Sequence, residues 1–122
     1  MITNVIVGTN DLERAEHFYD ALLARFDARQ VMKTARSILW KSEGDGVGLA
    51  VCVPFDEQPA GPGNGSMIGL RARSQVHLIS VYETALALGG SSEGEPGERR
   101  PGVMAAYFRD LDQNKFGVFY LE

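Results

Sequence analysis

The chain has 122 residues, 44% of them hydrophobic and 23% charged, the proportions of one ordinary globular domain rather than of a disordered or fibrous chain. Its formal charge is −4, with six basic against nine acidic residues over 1–60 and six against seven over 61–122, so neither half offers the clustered Lys and Arg that nucleic acid requires. Cys52 is the one cysteine, which excludes an internal disulfide, and with no signal peptide or apolar run of about 18 residues the expectation is a cytoplasmic protein without membrane partners.

Residues 2–7 are short, apolar and β-branched and end at Gly8-Thr9-Asn10, which predicts a strand and a turn. Asn10 with Glu13 three residues on has the form of a capping box. Leu12, Ala15, Phe18, Tyr19, Leu22, Leu23 and Phe26 then recur at helical spacing, predicting a helix over 11–26. Extended stretches follow at 29–34 and 37–41, then a turn at Glu43-Gly44-Asp45-Gly46 and a strand over 47–53. In that strand Val47, Leu49, Val51 and Val53 alternate with Gly48, Ala50 and Cys52, so the bulky face is expected to meet the helix.

Residues 54–64 (PFDEQPAGPGN) hold three prolines and two glycines and read as a linker. A phosphate cradle there is set aside because its Lys-Ser/Thr ending and following helix are missing. The order then restarts: a strand over 66–73, Ser74 as N-cap of a helix carrying Val76, Ile79, Val81, Tyr82, Ala85, Leu86 and Leu88, and Gly89-Gly90 as its end. Residues 91–102 are polar and carry at most one short strand, while 103–109 and 116–121 read as strands joined by 110–115. The result is an architectural repeat: an α+β fold of two βαβββ modules, 1–53 and 65–122, expected to form one cupped mixed sheet with helices on the convex side of a single domain, 1–122. A concave face is left for a small ligand.

The opening ITNVIVGTNDLERAEHFYDALL, the ending AAYFRDLDQNKFGVFYLE and the intervening PFDEQPAGPGNGSMIGLRARS together resemble the vicinal-oxygen-chelate proteins, the glyoxalase and bleomycin-resistance fold, in a branch mostly without assigned function. That resemblance implies metal ligands at positions that here are Asn4, Met67, Gly117 and a residue near Gly48. None is a good ligand for a divalent cation: Asn is a weak neutral donor, Met is too soft, and Gly has no side chain. No metal and no other cofactor is therefore expected.

His17 and His77 are conceivable general bases, but both fall on helices behind the sheet and read first as partly exposed helix residues. Cys52 points to the small-residue face as either a nucleophile or an inert thiol, and the absence of a nearby His favours the latter. Met67, Gly69 and Arg71 share one strand face, so Arg71 either grips an anionic or carbonyl-bearing ligand or forms a rim salt bridge. Met67 and Tyr107 suit a pocket wall and a hydrogen-bonding rim, and Trp40 is either core filler or an aromatic floor. Asp110, Asp112 and Asn114 read as turn residues bonding their own backbone, in a hairpin where Leu111 and Gln113 replace the Pro and Gly of the family pattern.

The expected function is a metal-independent glyoxalase-like protein binding a small organic molecule in a pocket of Asn4, Trp40, Cys52, Met67, Arg71, Tyr107 and Gly117. The alternatives are a metal-dependent lyase, isomerase or dioxygenase with an atypical ligand set, and a structural or partner-binding module. Surplus hydrophobic strand surface makes a homodimer the expected state.

Overall fold

Strand pairing repeats itself along the chain. The computed structural model describes residues 1–44 and 46–122, so Asp45 of the expected 43–46 turn lies outside the described residues. Two units divide inside the linker, at Met1–Gly61 and Pro62–Glu122. The first holds β1 (Asn4–Gly8), α1 (Leu12–Ala24), β2 (Ala28–Lys33), β3 (Ser37–Ser42) and β4 (Gly48–Cys52). The second holds β5 (Ile68–Arg71), α2 (Gln75–Ala87), β6 (Ser91–Arg100), β7 (Val103–Arg109) and β8 (Lys115–Leu121). The sheets run β1-β4-β3-β2 and β5-β8-β7-β6, with the first strand of each unit parallel to the last and the other pairs antiparallel. This is an α+β fold of two βαβββ modules. No described helix is long and apolar enough to cross a membrane.

In the first unit α1 buries Ala15, Phe18, Tyr19, Leu22 and Leu23, a stripe at i, i+3, i+4, i+7 and i+8. It meets the sheet face formed by Ile38, Trp40, Leu49 and Val51, which lie opposite one another in the β3–β4 ladder and are all buried. Each such side chain contributes about 1.5–3 kcal/mol when fully removed from water. The bulky face of β4 does meet the helix, as the alternation of the sequence requires. The N-cap, however, is Asp11 rather than Asn10: the Asp11 carboxylate accepts from Arg14 N at 3.0 Å. The Asn10 amide instead pairs with the linker, accepting from Ala60 N at 2.7 Å and donating to Ala60 O at 3.1 Å. The Asn10 side chain thus bonds one distant backbone residue in both directions.

In the second unit Ser74 caps α2 as expected, accepting from His77 N at 3.0 Å. The helix closes with Gly89 N on Leu86 O and Gly90 N on Ala85 O, the paired bonds of a Schellman motif, with Gly89 at φ +102° where a side chain would be strained. The buried stripe of α2 is Leu78, Val81, Tyr82 and Ala85, whereas Val76 and Ile79 face outward. Apolar residues cover most of this helix, so their spacing does not determine which face turns inward.

The largest departure from expectation is β6, a ten-residue strand with three register shifts against β7. Its Gly and Pro content argues against a strand in isolation, but it is an edge strand whose ladder is supplied by β7 and whose bulges absorb Gly94, Pro96 and Gly97. The 110–114 turn is built as expected: Asp110 Oδ1 accepts from Asp112 N at 2.9 Å and Asn114 N at 2.8 Å, and its Oδ2 accepts from Asn114 Nδ2 at 2.9 Å.

Candidate functional site

Register sorts the second sheet into two faces. Ala106, Phe108, Phe116 and Val118 are fully buried on the helix side, with Phe108 and Phe116 stacked at 5.5 Å. On the other face, three rows cross the strands. Leu121 lies opposite Val103, which pairs with Arg100; Arg71 lies opposite Phe119, which pairs with Ala105; and Gly69 lies opposite Gly117, which pairs with Tyr107. Strand pairing alone therefore brings Arg71, Tyr107 and Gly117 onto one surface.

Glycines keep the middle of this surface low, and two rings fill it. Phe119 folds over its neighbouring row, so a Cβ on Gly117 would lie 2.7 Å from Phe119 Cε2 and one on Gly69 3.3 Å from the same atom. Tyr107 meets Phe119 edge to face, centroids 5.8 Å apart. Arg99 is held over the Tyr107 ring at 5.4 Å by donating to Gly97 O at 3.0 Å and Glu95 O at 2.7 Å. Around these groups is a cavity of about 540 Å³ whose walls include Arg71, Arg99, Arg100, Val103 and Leu121. Its size is that of a small-molecule site, about 300–1,000 Å³.

A crystal structure of a glyoxalase/bleomycin resistance protein from Albidiferax ferrireducens T118 is 32% identical to this chain, with 100% of this chain and 99% of that one covered at a TM-score of 0.90. The chain belongs to the glyoxalase/bleomycin resistance protein/dioxygenase superfamily. A glyoxalase-related enzyme from Fulvimarina pelagi (20% identity, 98% and 87% of the two chains, TM-score 0.80) shares the superfamily fold. So does TnmS3, an antibiotic binding protein from Streptomyces sp. CB03234 (19%, 100% and 96%, TM-score 0.71). No protein-family model matches the chain, and no curated protein matches it.

The positions at which superfamily resemblance implies metal ligands do not fit a divalent cation. The space over Gly117 belongs to Phe119, and a Cβ on Gly48 would lie 2.7 Å from Leu39 Cδ1. Asn4 Oδ1 accepts from the neighbouring Thr3 hydroxyl at 2.8 Å. Met67 precedes β5, is 44% exposed and lines a different concavity with Ser66 and Lys115. Among the described residues no three His, Cys, Asp or Glu side chains are grouped to hold a metal ion.

In this superfamily domain the first sheet separates the other expected pocket residues. Asn4 and Cys52 fall at opposite ends of the β1–β4 ladder, opposite Gly48 and Gly8 respectively. Trp40 is on the helix face: it is 1% exposed, its indole Nε1 donates to Asp20 Oδ1 at 2.8 Å, and its ring meets Tyr19 at 5.7 Å. It is core, and its polar handle is satisfied there, so it offers no floor to a ligand. Cys52 is half-buried with its thiol on Val53 O at 3.2 Å. His17 is exposed on α1, and His77 Nδ1 accepts from Arg73 N at 3.0 Å, so neither histidine faces the ring-lined cavity. The cavity residues missed from sequence include Phe119, Arg99 and Arg100. Phe119 shares the parity of Gly117 along β8 and was within reach of alternation, whereas the two arginines sit on β6, whose extent the sequence hides.

Proposed function

We propose that this superfamily domain binds a small organic molecule on the helix-free face of its second sheet, as a carrier or sequestering protein, and that it does so without a metal ion. The observation that carries the reading is the Phe119 ring over Gly117: the volume that a metal ligand at 117 would need is an aromatic wall of an adjoining cavity. The antibiotic-binding role of TnmS3 supports it, since the same fold there serves binding. The lining also supports it, because apolar walls with a few polar groups (Arg71 and the Tyr107 hydroxyl) give both affinity and orientation.

A thermal-shift screen against a metabolite panel tests this. Ligands that raise the melting temperature of the wild type, and lose that effect in Arg71→Ala or Tyr107→Phe, are the expected result. Silence across the panel would favour a structural module instead. Elemental analysis of protein purified without chelator is expected to find no stoichiometric metal; a stoichiometric divalent ion with chelator-sensitive activity would replace this reading with a metal-dependent lyase, isomerase or dioxygenase.

We also propose that the chain forms a homodimer through the first sheet. Ile6, Ala50, Leu39 and Met32 lie in one row across its helix-free face, with Ile6 63% and Met32 53% exposed. A self-complementary pairing of that row would remove apolar surface from water. Light scattering is expected to give twice the chain mass, and Ile6→Lys with Met32→Lys to give the monomer.

A further inference from the structure

Resting on the binding-site reading above, we propose that the molecule taken by this cavity is an organic anion: a carboxylate or similar oxyanion carried on a flat apolar body. Three arginines, Arg71, Arg99 and Arg100, line the cavity, and among the described residues no acidic one lines it. This is not bulk charge, because the chain is net −4 and its second half holds more acidic than basic residues.

Some basic residues elsewhere in the chain are held by carboxylates. Lys33 pairs with Glu16 at 2.9 Å, Arg36 with Glu57 at 3.5 Å, and Arg109 with Glu93. By contrast Arg71, Arg99 and Arg100 make no ion pair among the described residues. Arg99 is held by two backbone carbonyls, which fix its direction but leave its charge intact. Three guanidinium groups around one apolar cavity repel one another, and an oxyanion among them removes that repulsion while accepting forked N–H bonds. Apolar walls of Val103, Leu121 and Phe119 intensify the local field and supply contact for a flat body.

A polyanion fits less well than a discrete ligand. The neighbouring concavity, which shares Val103, is lined by Glu98 and Glu122, so positive surface does not continue in that direction.

The test uses two probes of one shape, 2-naphthoate and 2-naphthalenemethanol, titrated calorimetrically into the intact chain at low and high salt. The naphthoate is expected to bind at least about tenfold more tightly than the alcohol, with the difference shrinking in high salt. Arg71→Gln and Arg100→Gln, both at exposed positions, are expected to weaken the naphthoate about three- to tenfold each and the alcohol by a smaller factor, so that the preference for the naphthoate narrows. Equal or tighter binding of the alcohol, lost for both probes in Val103→Trp, would overturn the anion preference and leave the cavity as a binding site. Failure of both probes to bind protein with an unaltered melting temperature would overturn the binding-site reading and this one with it.

Discussion

The ring of Phe119 stands where a side chain at position 117 would have to begin: a Cβ on Gly117 would lie 2.7 Å from its Cε2 and 2.9 Å from its Cζ. Tyr107 Cε1 is 3.1 Å from the same point, so Phe119 has little room to turn aside. Gly117→Ala is therefore expected to cost about 1–3 kcal/mol through overpacking. In a Phe119→Ala background the same change is expected to cost much less. Chemical denaturation of the two single variants and the double measures the coupling; additive costs would mean that the ring does not hold this position.

Trp40 and Asp20 form a part-buried polar link between α1 and its sheet. The indole N–H is buried with Asp20 Oδ1 as its partner, and Asp20 also accepts from Gln30 Nε2 at 2.9 Å. Asp20→Ala leaves the indole donor unpaired in the core and is expected to destabilise the fold by about 1–3 kcal/mol. In a Trp40→Phe background the additional loss is expected to fall below about 1 kcal/mol, because no orphaned donor remains. Urea midpoints of the four proteins in the cycle report this directly.

The 110–114 hairpin turn offers changes of opposite sign. Asp110 accepts three hydrogen bonds from within the turn while 2% exposed, so Asp110→Ala is expected to cost about 2–4 kcal/mol. Gln113 sits at φ +71°, where a side chain clashes with its own backbone. Gln113→Gly relieves that strain and is expected to stabilise by about 0.5–1 kcal/mol after the added unfolded-state entropy is subtracted. An unchanged melting temperature for Gln113→Gly would show that the turn pays no strain.

Glu16 and Glu93 make stability depend on acid. The hydrogen bond from Lys33 holds the Glu16 carboxyl below its ordinary value of 4.5, and that from Arg109 does the same for Glu93. A carboxyl depressed in the folded state contributes stability that is fully present above its unfolded value and is lost as pH falls through its folded value. The window therefore opens near 4.5 and extends downward. Glu16→Gln with Glu93→Gln is expected to flatten the decline of melting temperature over that window, and salt to shrink the difference between variant and wild type. An identical acid profile in the double variant would remove these pairs from the account.

Much of this protein was legible in local chemistry. The repeated element order, the proline-rich linker, the Ser74 cap and the Asp110 turn each follow from residues that act on near neighbours, and so does the resemblance that placed the chain in its superfamily. Tertiary structure decided what depends on which neighbour arrives. Trp40 was placed on the helix side of its strand by register with Leu49, since alternation separates two faces without saying which one a helix will cover. The inward face of α2 was chosen by packing because apolar residues surround that helix. The strand β6 exists because β7 supplies its ladder, against the local preference of its glycines and proline, and only that pairing carries Arg99 and Arg100 to the cavity that Arg71 borders. At Asn4, Met67 and Gly117, where the resemblance implies metal ligands, the sequence already showed residue types that are poor donors to a divalent cation. The ring that fills the space over Gly117 is a matter of one side chain's orientation, which the sequence orders by parity and only packing completes.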